Sequence, residues 1–324
     1  MRFSIIVPVY NSAIYLSKTM DSICQQLHND FEIICINDGS SDNSLEILEL
    51  YQQKFPFIQI YSQKNAGPSA ARNKGISLAR GEYILFCDSD DWFERNTVLL
   101  ELDTYIQQKT EVVDVIYFPG NTNYGGNIMP AAGFIEKQYR SGWKLLTDNC
   151  LCANGTSLFF GSIYAFAYRL EVIQKYSLKF NESVSYSEDR LWVFDFLDKA
   201  QCSIVYSSPC YYYNVRPNSL MTDSKFKKKK FYDELAVVEM MISRNWQHDR
   251  NYVVKKYLSR FYLACIKNLM SIDEYPSIHH KFELIYAVSS IRKFIGFILL
   301  CLSPIIYKKL TNDNSVVDSP ISCT

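Results

Sequence analysis

Gly81-Glu82-Tyr83-Ile84-Leu85-Phe86-Cys87-Asp88-Ser89-Asp90-Asp91-Trp92 is the stretch on which the fold turns. The apolar run from Tyr83 to Cys87 reads as a short buried strand, and it ends abruptly in three carboxylates, Asp88, Asp90 and Asp91. If the chain stays extended, alternation turns Asp88 and Asp90 to one side. Like charges that close repel unless a proton or a cation neutralises them. A hard divalent ion with oxygen ligands does so, and it can hold a diphosphate as well. In open α/β sheets, ligands bind beyond the carboxyl ends of the strands, which is where these acids fall. The stretch therefore points to a metal and diphosphate site. The other reading is an acidic helix cap, with Asp90 or Asp91 capping a turn at Trp92 to Arg95. The stretch by itself leaves both open.

Upstream, three more strand and helix units lead into it. Phe3 to Val9 is a fully apolar strand, and Tyr10-Asn11-Ser12 opens a helix with Leu16, Met20, Ile23 and Leu27 on one stripe. Asn11 or Ser12 is the expected cap. Phe31 to Asn37 is a second buried strand, ending in Asp38-Gly39-Ser40-Ser41-Asp42, where Gly39 permits a sharp turn. Ser41 or Asp42 then caps a helix carrying Leu45, Leu48 and Tyr51. Phe57 to Ser62 is a third strand, Asn65-Ala66-Gly67-Pro68 breaks the chain, and Ala70 to Arg80 is a helix closed by Gly81. After the organising strand comes a helix with Leu99, Leu102 and Ile106 at helical spacing.

Such alternation means a mostly parallel sheet with helices on both faces. Right-handed crossovers bring every strand's carboxyl end to one edge. Tyr10, Asn11, Asp38 and the acids from Asp88 to Asp91 all fall there, which predicts one cleft for a nucleotide and its phosphates. No G-x-G-x-x-G follows the first strand and no G-x-x-x-x-G-K-[ST] occurs, which argues against a dinucleotide dehydrogenase or a P-loop enzyme.

Composition sets the outer bounds. The 324 residues suffice for one large domain or a domain with an appendage. Apolar content of 48% and charged content of 21% describe a globular chain. The 24 Tyr and 20 Phe serve core packing first, and stacking on sugar or base rings second. A net charge of zero gives no global basic field for nucleic acid. Ten cysteines without C-x-x-C spacing read as reduced thiols of a cytosolic protein. The N-terminus reads as lacking a signal peptide, its apolar run being short and containing Pro8. No segment reaches the ~20 unbroken apolar residues of a membrane span.

The middle, from Val112 to Pro209, is less regular. Val112 to Phe118 reads as a strand, and Gly120 to Gly133 as a mobile loop over the cleft. Ser157 to Tyr168 is aromatic and apolar. Glu188 and Asp189 start a helix with Leu191, Phe194 and Leu197 as its stripe, where helix-dipole stabilisation of acids is a sufficient explanation. Ser203 to Tyr206 reads as a last strand, and Tyr211 to Ser219 as a polar loop. From Lys225 the composition changes: Lys227 to Lys230 complete a basic cluster, and helical patterns run from Phe231 to Met270. Ile291 to Leu310 carries an apolar core, Phe294 to Tyr307, flanked by Arg292, Lys293, Lys308 and Lys309. That core is short for a span. It fits a helix in the membrane interface or a buried C-terminal helix. The tail after Asn312 reads as disordered.

Four motifs together are similar to the family 2 glycosyltransferases of the GT-A fold: Val7-Pro8-Val9-Tyr10-Asn11, Asn37-Asp38-Gly39-Ser40-Ser41-Asp42, Asn65-Ala66-Gly67-Pro68-Ser69-Ala70-Ala71-Arg72-Asn73 and Asp88-Ser89-Asp90-Asp91-Trp92. Each is weak alone; the ordered set is highly specific. The resemblance implies an α/β, Rossmann-like GT-A domain over residues 1–222, with a nucleotide-binding half at about 1–118 and an acceptor half at about 119–222. The helical region 223–324 lies outside it.

The resemblance also implies roles. Pro8, Tyr10 and Asn11 would border the nucleotide, with Asp38 on the base. A carboxylate can accept from a uracil N–H, which favours a UDP-linked donor. Arg72 would approach the phosphate or ribose, though a solvated helix charge explains it as well. Asp88 and Asp90 would be the D-x-D pair holding Mn²⁺ or Mg²⁺ against the diphosphate, with Ser89 between them. Asp91 would assist or merely cap. Glu188 and Asp189 look like the acidic pair near the acceptor, with Asp189 as general base. Arg216 and Ser219 resemble a late R-x-x-S element over the diphosphate. The expected activity is inverting transfer of a hexose or N-acetylhexosamine to a saccharide acceptor during bacterial O-antigen, capsule or exopolysaccharide assembly. The basic C-terminal region favours an acceptor on polyprenyl diphosphate and a peripheral place on the inner, anionic face of the cytoplasmic membrane. Two other readings are a sugar nucleotidyltransferase, whose Gly-rich Lys/Arg signature is missing here, and a non-catalytic carbohydrate-binding protein that keeps the fold.

Overall fold

The computed structural model describes residues 1–131, 135–149, 162–216, 226–244, 252–272 and 274. The chain divides into two compact units, Met1–Leu146 with Leu158–Ser219, and Thr147–Ser157 with Leu220–Thr324.

The first unit opens with β1 (Phe3–Val9), α1 (Ala13–Cys24), β2 (Phe31–Asn37), α2 (Ser44–Lys54), β3 (Ile58–Ser62), α3 (Pro68–Leu78) and β4 (Tyr83–Phe86). All seven residues of β2 are buried, as parallel strands covered on both faces require. On α1, Leu16, Met20 and Ile23 are buried, whereas Leu27 lies beyond the helix and is exposed. Ser12 is the residue before α1, but its hydroxyl caps nothing. The next loop supplies the caps instead: Ala13 N–H donates to Asp42 Oδ2 at 3.0 Å, and Ser12 N–H to Ser44 Oγ at 2.9 Å. Gly81 does not close α3, which ends at Leu78. A Cβ on Gly81 would lie 2.5 Å from the backbone of Phe3 and Ser4, so glycine is needed there for close approach to β1.

Next come β5 (Trp92–Phe93), α4 (Val98–Gln107), β6 (Val115–Tyr117), β7 (Gly120–Tyr124), β8 (Asn127–Met129), β9 (Lys137–Tyr139), α5 (Gly142–Asn149), β10 (Phe166–Arg169), α6 (Leu170–Lys175), α7 (Glu188–Lys199), β11 (Ser203–Val205) and β12 (Tyr211–Val215). The main sheet runs β3-β2-β1-β4-β10-β6-β11-β9. Strands β3, β2, β1 and β4 are parallel, β10 runs antiparallel between β4 and β6, and β9 is an antiparallel edge. From β1 the chain steps outward through β2 to β3, then returns to β1's other side as β4. That reversal of direction is where an α/β sheet opens a ligand crevice.

Two segments expected as loops are strands of a second sheet, β5-β12-β7-β8. β7 and β8 form a hairpin turning at Gly125 and Gly126, whose φ of 58° and 99° suit glycine. Tyr211 to Val215 pairs in parallel with β7. Trp92 and Phe93 pair with β12 rather than starting a helix, so no helix follows for Asp90 or Asp91 to cap. Glycine and asparagine content misread these strands, because their pairing partners are distant in sequence.

In the second unit, α8 (Lys227–Ser243) and α9 (Tyr252–Met270) each bury one face, led by Val237, Val238 and Met241 on α8 and Tyr262, Ile266 and Leu269 on α9. Lys228 pairs with Glu274 and Lys229 with Asp233, each at 2.5 Å. Among the described residues, no helix is long and apolar enough to cross a membrane. The segment Ile291 to Leu310 lies outside the described residues.

Candidate active site

The site is built where β1 and β4 end. Cys87 N–H still donates to Ile6 O at 3.0 Å, so the two strands stay paired up to the acidic turn. Within that turn Asp91 N–H donates to Asp88 O at 3.1 Å. Ser89 is pinned beneath: its hydroxyl lies 2.6 Å from Ser12 Oγ, and its carbonyl accepts from Thr19 Oγ1. The Ser89 side chain therefore meets the start of α1, while Asp88 and Asp90 keep partial exposure.

The three carboxylates have different surroundings. Asp88 is 29% exposed and Asp90 17%, while Asp91 is fully buried. Asp88 Oδ1 accepts from Arg72 Nη2 at 3.0 Å. Asp90 Oδ2 lies 2.5 Å from Arg216 Nε. Burial pushes the Asp90 carboxyl up to about 6; Asp88's charge adds to this, and Arg216 opposes it. Asp91 accepts from Tyr211 Oη at 2.8 Å and from Asn214 N–H at 2.7 Å, and the same Tyr211 oxygen accepts from Asp88 N–H at 3.0 Å. Burial and the neighbouring Asp90 and Asp88 raise Asp91 well above the carboxylate range. Asp91 thus fastens the turn to β12.

At the ends of β1 and β2, Tyr10 is half exposed just after β1. Pro8 lies within β1, opposite Ile36 of β2. Asn11 adopts φ 48° and accepts from Ser41 N–H at 2.8 Å, joining the first two strand ends. Asp38 is buried: Oδ1 accepts from Gln63 Nε2 and Ala66 N–H, and Oδ2 from Gly67 N–H, at 2.8 to 2.9 Å. A carboxylate has about four acceptor positions, so these three bonds leave one for a ligand.

At the start of α7, Ser187 takes a left-handed conformation at φ 60°, placing Glu188 and Asp189 in the first turn of the helix. Arg72 is buried and donates through Nη1 to Glu188 Oε1 at 2.8 Å. Its guanidinium also lies over the Phe180 ring at 5.6 Å. Asn73 reinforces this joint by exchanging hydrogen bonds with the Phe180 backbone. Burial raises the Asp189 carboxyl to about 7; Glu188 adds to the shift, while Arg72 and Arg190 oppose it. Asp189 Oδ1 accepts from Arg190 N–H at 2.8 Å. Ser219 lies outside the described residues.

Asp88, Asp90, Arg72, Glu188, Asp189 and Arg216 are thus brought together. The Tyr211 to Asp91 link and the pairing of Arg72 with Glu188 escaped sequence reasoning. The run of three tyrosines, Tyr211 to Tyr213, with its strand propensity was the available sign of a strand.

A divalent cation fits this turn. Two partly exposed carboxylates share it, and burial, with Asp88's charge adding to it, holds Asp90 high, which a bound cation would relieve. Among the described residues, no group of three or more His, Cys, Asp or Glu could hold a metal alone. An ion bound largely through substrate phosphates needs only one or two carboxylates.

Comparison with known proteins agrees with this architecture. The family model described as Glycosyl transferase family 2 matches residues 4–177. The chain is 31% identical over 222 residues to the uncharacterized glycosyltransferase EpsJ of Bacillus subtilis, covering 67% of this chain and 62% of EpsJ. It is 30% identical over 281 residues to the cholesterol galactosyltransferase of Borreliella burgdorferi, covering 84% and 76% of the two chains. Among solved structures it resembles residues 1–349 of S. aureus TarS in complex with UDP-GlcNAc, with a TM-score of 0.63 and 21% identity over 93% of this chain and 82% of that one. With more than half its length inside the family model, and with this sheet order, the chain belongs to glycosyl transferase family 2 and is a glycosyltransferase of the GT-A fold.

Proposed function

We propose that this enzyme transfers a hexose or N-acetylhexosamine, with inversion, from a UDP-sugar to a saccharide acceptor. The observation that carries the reading is Arg72, whose guanidinium joins Asp88 at the end of β4 to Glu188 at the start of α7. One buried cation thereby holds the diphosphate end and the acid end of a single cleft in fixed relation.

Asp38 and Tyr10 receive the nucleotide, and Arg72 and Arg216 face the diphosphate. Asp88 and Asp90 would hold Mn²⁺ or Mg²⁺, which when bound would offset charge developing on the departing nucleoside diphosphate. Asp189 accepts the proton of the acceptor hydroxyl as that oxygen attacks the anomeric carbon. Its elevated proton affinity, from burial and from Glu188, suits a base working near neutral pH. The sugar is passed directly to the acceptor, so no enzyme nucleophile is required.

The acceptor is read as lipid-linked, on polyprenyl diphosphate at the inner face of the membrane, in surface-polysaccharide assembly. Similarity to poly(ribitol-phosphate) transferases supports a polymer acceptor. Similarity to a cholesterol galactosyltransferase over most of both chains supports a second reading, a hydroxyl of a membrane lipid itself.

The test incubates the full chain with radiolabelled UDP-hexoses and extracted lipid acceptors, with and without Mn²⁺. Metal-dependent transfer that Asp90→Ala abolishes, with UDP as the by-product, supports the reading. Full activity in that variant, or pyrophosphate as by-product, overturns it.

A further inference from the structure

On β12, alternation puts Tyr211 and Tyr213 on one side and Tyr212 on the other. The packing obeys this. Tyr212 stacks on Trp92 at 5.3 Å, while Tyr164 stacks on Tyr211 at 4.4 Å and on Tyr213 at 5.6 Å, with interplanar angles of 8° and 10°. Tyr211 is fully buried and its hydroxyl is consumed by Asp91 and by the Asp88 N–H. Tyr213, two residues on, is only partly buried, and its hydroxyl has no hydrogen-bond partner among the described residues. Three residues further, Arg216 pairs with Asp90. Tyr213 is therefore held by a strand and a ring stack between two anchors of the acidic turn.

Burial is the main influence that raises the proton affinity of the Tyr213 hydroxyl, and the charges of Asp91, Asp88, Asp90 and Asp189 add to it. The phenol thus stays protonated, its neighbours Tyr211 and Arg216 tie its strand to the diphosphate carboxylates, and Arg72 ties those to Glu188 beside the base. If the site works as proposed above, the sugar in transit must lie between those two sets of acids.

We propose that Tyr213 is a donor-sugar contact that sets specificity: its hydroxyl hydrogen-bonds an oxygen of the transferred hexose, and its stacked ring limits the depth of the sugar pocket. A protonated phenol without a partner is a donor, and a sugar hydroxyl or acetamido oxygen supplies an acceptor. Tyr211, one pleat away, is structural. This assignment rests on the proposed function.

The experiment titrates the full chain, Tyr213→Phe and Tyr211→Phe with UDP, UDP-glucose, UDP-galactose, UDP-GlcNAc and UDP-GalNAc in the presence of Mn²⁺. For Tyr213→Phe, UDP affinity should stay unchanged while the best-bound UDP-sugar weakens about tenfold, the size of one hydrogen bond. Discrimination between sugars that differ at one position should shrink. Tyr211→Phe should weaken UDP and UDP-sugars alike. If Tyr213→Phe matches wild type on every sugar nucleotide, or loses UDP and UDP-sugar affinity in parallel, the assignment is overturned while the functional reading stands. If wild type binds none of these nucleotides, the functional reading fails and takes the assignment with it.

Discussion

Arg72 and Glu188 stand 116 positions apart in the chain, yet Nη1 of one lies 2.8 Å from Oε1 of the other. With Asp88 on Nη2, one guanidinium neutralises two carboxylates from two elements. Removing it leaves both acids without their cation. Losing one member of a buried pair costs about 3 kcal/mol or more. Arg72→Ala should therefore lower stability by about that amount, read by urea unfolding, and should abolish transfer. Arg72→Lys keeps the charge but not the fork, and should fold better than it catalyses. An unfolding midpoint for Arg72→Ala equal to wild type would show that the pair does not hold the cleft.

The raised Asp189 carboxyl sets a pH dependence. The base must be ionised, so transfer should rise with pH through about 7 and level off above it. Stability moves the other way. A carboxyl whose folded proton affinity exceeds its unfolded one contributes fully below the ordinary carboxylate range, and that contribution is lost as pH rises towards about 7. Asp189→Asn should bind UDP normally and transfer poorly at every pH. An acid limb that survives in this variant would move the base elsewhere.

Tyr211 and Asp91 form the joint beneath the site. Tyr211→Phe deprives the buried Asp91 carboxylate and the Asp88 N–H of a partner, and should cost about 1–3 kcal/mol. Asp91→Ala leaves both Tyr211 and the Asn214 N–H unpaired and should cost more. Thermal unfolding of the two single variants and the double variant measures their coupling. Strict additivity would mean that the bond carries no energy of its own.

Two glycines test how tightly α3 and the following turn approach β1. A Cβ on Gly75 would meet Ile6 Cγ2 at 2.4 Å, and one on Gly81 would meet the backbone of Phe3 and Ser4 at 2.5 Å. A side-chain methyl can shift and backbone cannot. Gly75→Ala should cost about 1–3 kcal/mol, and Gly81→Ala more. Circular dichroism melts rank them; the reverse order would contradict the packing.

Glu32 is buried and accepts from Ser4, Gln59 and Arg80. Burial alone would raise its carboxyl, but the Arg80 and Ser4 hydrogen bonds outweigh it and hold it below the usual range. Its contribution is present above the unfolded value and is lost as pH falls through the folded one. Glu32→Gln should flatten the acid limb of the stability curve. An unchanged limb would assign acid unfolding to other groups.

Sequence by itself determined the repeating strand and helix units from Phe3 to Phe86 and the helix ending at Gln107, because continuous apolar runs and stripes at helical spacing are local. It also determined that Asp38 and the acids from Asp88 to Asp91 share one edge, because parallel connections leave the chain no other arrangement. Only the tertiary structure decided that Tyr211 to Val215 and Gly120 to Met129 are strands, since their pairing partners are remote. It alone divided the three aspartates between two that keep partial exposure and one buried as a fastener. It alone joined Arg72 to Glu188. Burial and long-range pairing set the charge state of each of these groups, and neither is written in the residues next to it.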